Sequence, residues 1–543
     1  MRLGKRAVVC LLLVLGCANL LIRLPSTTHE MGVDSFVWHG MATSVQQEGS
    51  ALWILSPLSY LGLYPLSQPS SGPFLAVAVS DLFGTQIEGA VLTLDLIFAI
   101  LGMLTSFVLG WEMRRNSAFA LAFATLTSLT PELVTSLAWQ MPTRIVFTIL
   151  LPLFVWGLIR IWRHLGRREV TLLALTVFLM MSFHRLTVLV FLVATAYVLA
   201  GIVLSIHRTL RLQQSGFFLR PAFKRRAPYL ALVVLGAISA ATLLMTNVLE
   251  EYSVGAISSG DSREVQLLNL GVSLARSSGP LLPLSVVGVV SIAFQRNKTI
   301  TEPFLLMAFL VFIPLLFLRQ YTGYYTVPFT ALFITIGLFA ILRRFRSRRM
   351  QALAAATCIA VFLASSWAIV NYDLGITTSM SSRTYDLSLY AKERLSGTVI
   401  TNEGLLGSRL HAISGMPYLP VGGATTPFQS ADLLLFGFVD RNDAARTIFL
   451  VPLTQLTVDS DSPYVLPGVQ AEGDWVAILK SPVNAPPTQY HAYNVTYALE
   501  SKEFPNEFTA YGNRYPSALY LSARNERYKV YEDSGSILFY LGG

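Results

Sequence analysis

The chain has 543 residues, of which 53% are hydrophobic and only 13% charged, about half the charged share of an ordinary soluble domain. This excludes a single water-soluble globular protein. It also excludes nucleic acid as the reason for the net charge of +9, because the basic residues sit in short loops between apolar runs.

Charge divides the chain in two. Residues 1–370 hold 28 Lys and Arg against 14 Asp and Glu, whereas residues 371–543 hold 12 against 17. Apolar runs near the roughly 20 residues that a bilayer-spanning helix needs recur only in the first part. Residues 7–22, behind Arg2, Lys5 and Arg6, read as an uncleaved first helix. Val14-Leu15-Gly16-Cys17 faintly resembles a lipoprotein cleavage box, but no small-x-small site follows.

Basic clusters mark cytoplasmic ends of spans. They fall at Arg2 to Arg6, Arg114/Arg115, Arg160 to Arg168, Arg208 to Arg226, Arg296/Lys298 and Arg343 to Arg349. An even number of crossings must separate any two of them. The rule splits 170–206 into two spans that turn at His184-Arg185, and it puts segments 129–144, 249–279 and 319–325 outside. About eleven transmembrane helices are expected, over 7–22, 88–111, 118–128, 145–161, 170–183, 186–206, 229–248, 280–294, 303–318, 324–342 and 350–370. The C-terminal part then lies outside.

Residues 23–87 form a long first outer loop. Apolar spacing predicts a helix over 36–45 lying on the membrane interface, with turns at Tyr64-Pro65 and 68–73. Asp34 stands just before that helix, as a cap or as a reactive carboxylate. Six basic residues remain outside: Arg23, Arg144, Arg185, Arg263, Arg276 and Arg319. Singly they can snorkel; as a group they suit an anionic headgroup. Asp95, two turns into the second span, is either functional or paired with an outer arginine.

The last third predicts a soluble mixed α/β domain over 371–543. A helix is expected over 379–395, with strands over 397–401, 447–451, 475–479 and 490–498. A hairpin joins 528–531 to 537–540 through Asp533-Ser534-Gly535. No metal-ligand cluster, nucleophile triad or Gly-rich phosphate loop stands in residues 371–543.

The order of Asp34, His39, Ala42, Gly49, Tyr64 and Pro65 in the first outer loop resembles the GT-C superfamily of membrane glycosyltransferases. So do the second outer loop with Glu132 and Arg144, the Arg319-Gln320-Tyr321 to Pro328 element, and the closing strand pair within 514–543. The resemblance implies a polytopic α-helical GT-C-like domain over 1–370, with 371–543 extracytoplasmic, in the cytoplasmic membrane of a prokaryote. It implies an inverting transferase that moves a sugar from a polyprenyl phosphate or diphosphate to a lipid, glycan or protein acceptor among the membrane lipids. Asp34 takes the role of base, with Glu30 or Glu132 as helper or metal ligand, which leaves a divalent cation open. Arg319, Arg144 and Arg185, joined by His184 and Tyr321, take the donor phosphate. The tryptophan-tryptophan-aspartate signature of oligosaccharyltransferases is absent; Asp474-Trp475 is its nearest counterpart and reads as a strand. That favours transfer of a single sugar over an oligosaccharyltransferase-like activity. A polyprenyl-linked sugar or lipid transporter or flippase would also explain the spans, but it predicts internal repeats, and none is seen.

Overall fold

Helices dominate the described residues. The computed structural model describes residues 4–49, 54–55, 63–64, 71–141, 143–184, 187, 189–213, 271–272, 274–295, 299–318, 323–376, 379–401, 404–416, 418–420, 495–501 and 529–540. In chain order the helices are α1 (Lys5–Leu21), α2 (Asp34–Glu48), α3 (Ser71–Phe83), α4 (Ile87–Arg114), α5 (Ser117–Ser128), α6 (Pro131–Thr135), α7 (Thr143–Arg163) and α8 (Arg167–Phe183). There follow α9 (Val190–Gln213), α10 (Pro283–Ala293), α11 (Thr301–Leu318), α12 (Gly323–Leu342), α13 (Arg348–Ile376), α14 (Ser382–Arg394) and α15 (Gly404–Ser414). The described residues form two units. One comprises Met1–Leu24, Asp95–Ala138 and Pro142–Ile376; the other comprises Pro25–Leu94, Trp139–Met141 and Thr377–Gly543.

The first unit is a helical bundle. Every expected span coincides with a helix except 229–248, which lies outside the described residues. Among those residues, four helices are long and apolar enough to cross a membrane: Ile87–Arg114, Thr143–Arg163, Tyr324–Leu342 and Arg349–Asn371. Leu13, Val14 and Leu21 on α1, and Leu175 and Phe178 on α8, are exposed. Apolar surface of that kind suits lipid rather than water.

Local chemistry sets the helix ends. Asn116 caps α5, its Oδ1 accepting from the backbone N–H of Ala118 and Phe119 at 3.0 and 3.3 Å, and Pro131 opens α6 where no N–H is needed. The basic clusters at the helix ends are partly neutralised by buried glutamates. Glu112 accepts from Arg163 at 2.5 Å and from Arg115 at 3.0 Å. Glu302 accepts from the Thr299 backbone N–H at 2.8 Å and lies 3.6 Å from Arg114. The helices α10 and α12 pack closely on each other. There Gly288 meets the Phe333 carbonyl and Gly337 meets the Leu284 carbonyl, with room for no Cβ on either side.

The second unit joins part of the first outer loop to the described part of the C-terminal region. Its five-stranded sheet contains β3 (Thr398–Thr401), β4 (Tyr418–Pro420), β5 (Val495–Ser501), β6 (Lys529–Glu532) and β7 (Ser536–Tyr540), in the order β4-β3-β5-β7-β6. The strand β3 runs parallel to β4 and β5, and β7 runs antiparallel to β5 and β6. The loop also holds a two-residue pair, β1 (Ile54–Leu55) with β2 (Leu63–Tyr64). Asp533 builds the expected hairpin turn, its Oδ1 accepting from the backbone N–H of Gly535 and Ser536 at 2.7 and 2.6 Å. Leu387, Ala391, Val399, Leu410, Leu499 and Leu538 pack between α14, α15 and the sheet. The strands expected at 447–451 and 475–479, and the start of 490–498, lie outside the described residues.

Two readings of the first outer loop change. The stretch at 68–73 was expected to turn, but Ser71 already begins α3, with Pro73 in the first helical turn, where proline is tolerated. The helix α2 does not lie on a membrane interface. Its apolar side is buried in protein, with Phe36 against Met380, Ala412 and Ile413. Tertiary packing takes the face that spacing alone assigned to lipid.

Candidate active site

The carboxylates of the first outer loop occupy contrasting surroundings. Asp34 is exposed at the first position of α2. It is not the cap, since Val33 holds that position and has no side-chain acceptor. A first-turn carboxylate is still favoured by the helix dipole.

Glu30, four residues earlier, is fully buried. One of its oxygens accepts from the Ser35 hydroxyl, and the other takes His39 Nδ1 at 2.6 Å. A ring nitrogen can meet a carboxylate oxygen only as N–H, so Nδ1 carries the proton. Both Glu30 oxygens are thus engaged in holding the start of α2. The backbone here is pinned as well. The Glu30 N–H donates to Glu88 Oε1 at 2.7 Å, and the Glu30 carbonyl accepts from Met380 N–H at 3.1 Å. His29 stacks on Tyr385 with ring centres 4.0 Å apart and lies 3.4 Å from Glu88.

The other side of α2 meets α15. Thr43 donates to the Ala412 carbonyl at 2.6 Å, and the His411 ring lies over Gly40, where a Cβ would collide with it. His411 Nδ1 donates to the Met416 carbonyl at 3.0 Å, and Nε2 lies 3.2 Å from the Ser44 hydroxyl. Burial pushes the His411 pKa down, so the ring is neutral at ordinary pH. Sequence reading missed α15 and His411. The only local signal was a short apolar spacing between Leu405 and Ile413.

The remaining candidates that the structure describes belong to the first unit. Glu132 sits half-buried in the first turn of α6, Arg144 half-buried at the second position of α7, and His184 buried at the C-terminal cap of α8. Arg185, Arg319 and Tyr321 lie outside the described residues. Arg23 does not snorkel: it is 1% exposed and donates to the Asn19 carbonyl and Oδ1 at 3.0 Å each, to the Ser128 carbonyl at 2.8 Å and to that of Leu133 at 3.3 Å. Burial pulls its pKa down to about 10, with Asp95 opposing that shift, so it stays charged. Arg23 therefore staples α1 to the ends of α5 and α6.

Among the described residues no group of three His, Cys, Asp or Glu side chains is arranged to hold a metal ion. Glu30, expected as a helper or metal ligand, has its oxygens occupied by Ser35 and His39. These residues do not fit a metal centre.

No protein-family model matches the sequence, and no curated protein matches it. Solved structures do. The oligosaccharyltransferase AglB from Archaeoglobus fulgidus, in complex with an inhibitory peptide and a dolichol-phosphate, matches with a TM-score of 0.57 at 11% identity over 92% of this chain and 69% of that one. ArnT from Cupriavidus metallidurans matches with 0.52 at 14% identity over 98% of both chains; it has also been solved bound to undecaprenyl phosphate. The mycobacterial arabinofuranosyltransferase AftD matches with 0.55 at 14% identity over all of this chain and 42% of its own. All three are GT-C glycosyltransferases. This chain has the GT-C fold.

Proposed function

We propose that this chain is a membrane glycosyltransferase that takes its sugar from a polyprenyl-phosphate carrier. The observation that carries the reading is an exposed Asp34 at the head of a helix whose start is fixed by buried hydrogen bonds, within a GT-C fold. Neighbours of that fold have been solved with dolichol-phosphate and undecaprenyl phosphate, which supports a lipid phosphate as the leaving group.

In this reading the Asp34 carboxylate takes the proton of an acceptor hydroxyl. The acceptor oxygen bonds to the anomeric carbon from the face opposite the phosphate, the carbon–oxygen bond to phosphate breaks, and the configuration inverts. The lipid phosphate leaves carrying the negative charge, which Arg144, Arg185 and Arg319 stabilise. His184 and Tyr321 assist at the donor, and Glu132 is the reserve base. The reaction takes place on the outer face of the cytoplasmic membrane, with eleven spans and 371–543 outside. AglB also brings an oligosaccharyltransferase reading into play. Transfer to a sequon peptide distinguishes it from transfer to a lipid or glycan.

The test is incubation of purified protein with labelled polyprenyl-phosphate sugars and envelope lipid. Release of free lipid phosphate with label moved to an acceptor is expected. Label that crosses vesicles without any glycosidic bond being broken would instead make the protein a transporter.

Arg319 offers a sharper test of the donor. A snorkelling arginine needs only a charge on a long stem, which lysine supplies. An arginine that grips phosphate presents a planar fork that lysine cannot copy. Arg319→Lys is expected to insert normally and to use donor several-fold less well, with Arg319→Ala worse. Unchanged donor use in both variants would move the role to Arg144 and Arg185.

A further inference from the structure

Residues Trp139–Met141 separate from the loop around them and group with the second unit. Each of the three holds part of the short segment that carries Asp34. The Trp139 carbonyl accepts from the Met31 N–H at 3.0 Å, and its indole N–H donates to the Glu88 carbonyl at 3.0 Å. The Gln140 side chain lies where a Cβ on Gly32 would stand, 2.7 Å from that position, and Gly32 itself has φ of +86°. The Met141 N–H donates to the Ser35 hydroxyl oxygen at 2.5 Å, and the same hydroxyl donates to Glu30. Contacts at Met31 and Gly32 on one side and at Ser35 on the other bracket Asp34.

The backbone at Trp139 is strained. Among the described residues only Arg115 and Trp139 are non-glycine residues with positive φ. Arg115 directly follows the end of α4, where the left-handed conformation is an ordinary way to stop a helix. Trp139, at φ +57°, ends no helix. A bulky residue persists there only when its surroundings hold it, and here Met31 of the Asp34 segment and the Glu88 carbonyl hold it.

We infer that Trp139–Met141 is a strap that positions Asp34 for proton abstraction, with Ser35 as its latch. This rests on Asp34 being the base. Ser35 is a positioning residue: its single hydroxyl links the buried Glu30–His39 pair to the strap and does not itself meet substrate. Losing the latch frees the head of α2 while donor binding elsewhere is untouched, so the loss should fall on kcat and spare KM for the donor.

The experiment compares Ser35→Ala, Ser35→Thr, Trp139→Gly and Asp34→Asn in the labelled-sugar assay, with amide hydrogen exchange read over residues 29–41 and 139–141. Ser35→Ala is expected to lose at least tenfold in kcat with donor KM within twofold, and its Met31 and Met141 amides should exchange faster. Ser35→Thr keeps the hydroxyl and should recover most of the kcat. Trp139→Gly accepts the left-handed backbone without strain but lacks the indole, and it should lose kcat while remaining folded. A wild-type kcat in Ser35→Ala and Trp139→Gly, alongside an inactive Asp34→Asn, would overturn the strap and leave the base standing. An active Asp34→Asn would overturn the base itself. Equal loss in Ser35→Ala and Ser35→Thr would make Ser35 a packing residue and overturn its role as latch.

Discussion

Asp34→Asn is expected to accumulate in the membrane like the parent protein and to transfer sugar at least about 100-fold more slowly, the usual scale for removing a general base. The structural cost of this substitution is small. Asp34 is exposed, Val33 rather than Asp34 stands at the cap position of α2, and a first-turn charge is worth about 0.3–1 kcal/mol. Several buried contacts at this end of α2 belong to other residues. Glu30 holds His39 and Ser35, Glu88 holds the Glu30 N–H, and Trp139 holds Met31. Thermal unfolding in detergent should therefore change little while the transfer rate collapses. If transfer in Asp34→Asn stays within a few-fold of the parent, Asp34 is not the base and Glu132 becomes the first residue to replace.

The parts of this molecule that were legible in its sequence are those that local physics decides. Apolar runs located the described helices of the first unit, though some ends ran on, with Val190–Gln213 against an expected 186–206 and Arg348–Ile376 against 350–370, and they missed Ser71–Phe83. Asp533-Ser534-Gly535 announced its hairpin because one carboxylate closes that turn unaided. Long-range partners decided what was missed. The helix α15 is short and carries Gly404 and Gly407, and it is held by contacts with α2 more than 360 residues away, such as Thr43 to Ala412. Arg23 read as a snorkelling charge because nothing nearby shows that the carbonyls of Ser128 and Leu133 converge on it. The candidate site divided the same way. The resemblance of the first loop to GT-C proteins singled out Asp34 and Glu30, but it could not show that Glu30 is spent on Ser35 and His39, nor that residues 139–141 return to the Asp34 segment.

The crossing of α10 and α12 leads to the largest expected loss of stability, through one added methyl group. In most helix interiors Gly→Ala stabilises, because alanine restricts the unfolded chain and favours the helix by up to about 1 kcal/mol. Gly16 is such a case: a Cβ there would lie 3.6 Å from Ile100, an ordinary contact. Gly16→Ala should leave the unfolding temperature unchanged or raise it. Gly288 and Gly337 invert the sign. A Cβ on Gly288 would run into the backbone carbonyl of Phe333, and one on Gly337 into that of Leu284. A side-chain tip could swing aside, but a backbone carbonyl moves only with its helix. The two helices would have to part along their whole line of contact, giving up the close approach that small residues provide between membrane helices. Gly288→Ala and Gly337→Ala are each expected to cost at least the roughly 3 kcal/mol at the upper end of ordinary overpacking. Unfolding temperatures in detergent should fall well below that of the parent, or the protein should fail to accumulate. The two costs should also be strongly non-additive, since the first methyl already opens the gap that the second would need. A double variant no less stable than either single one is the expected result, and two independent, additive losses would mean that α10 and α12 do not meet through these glycines.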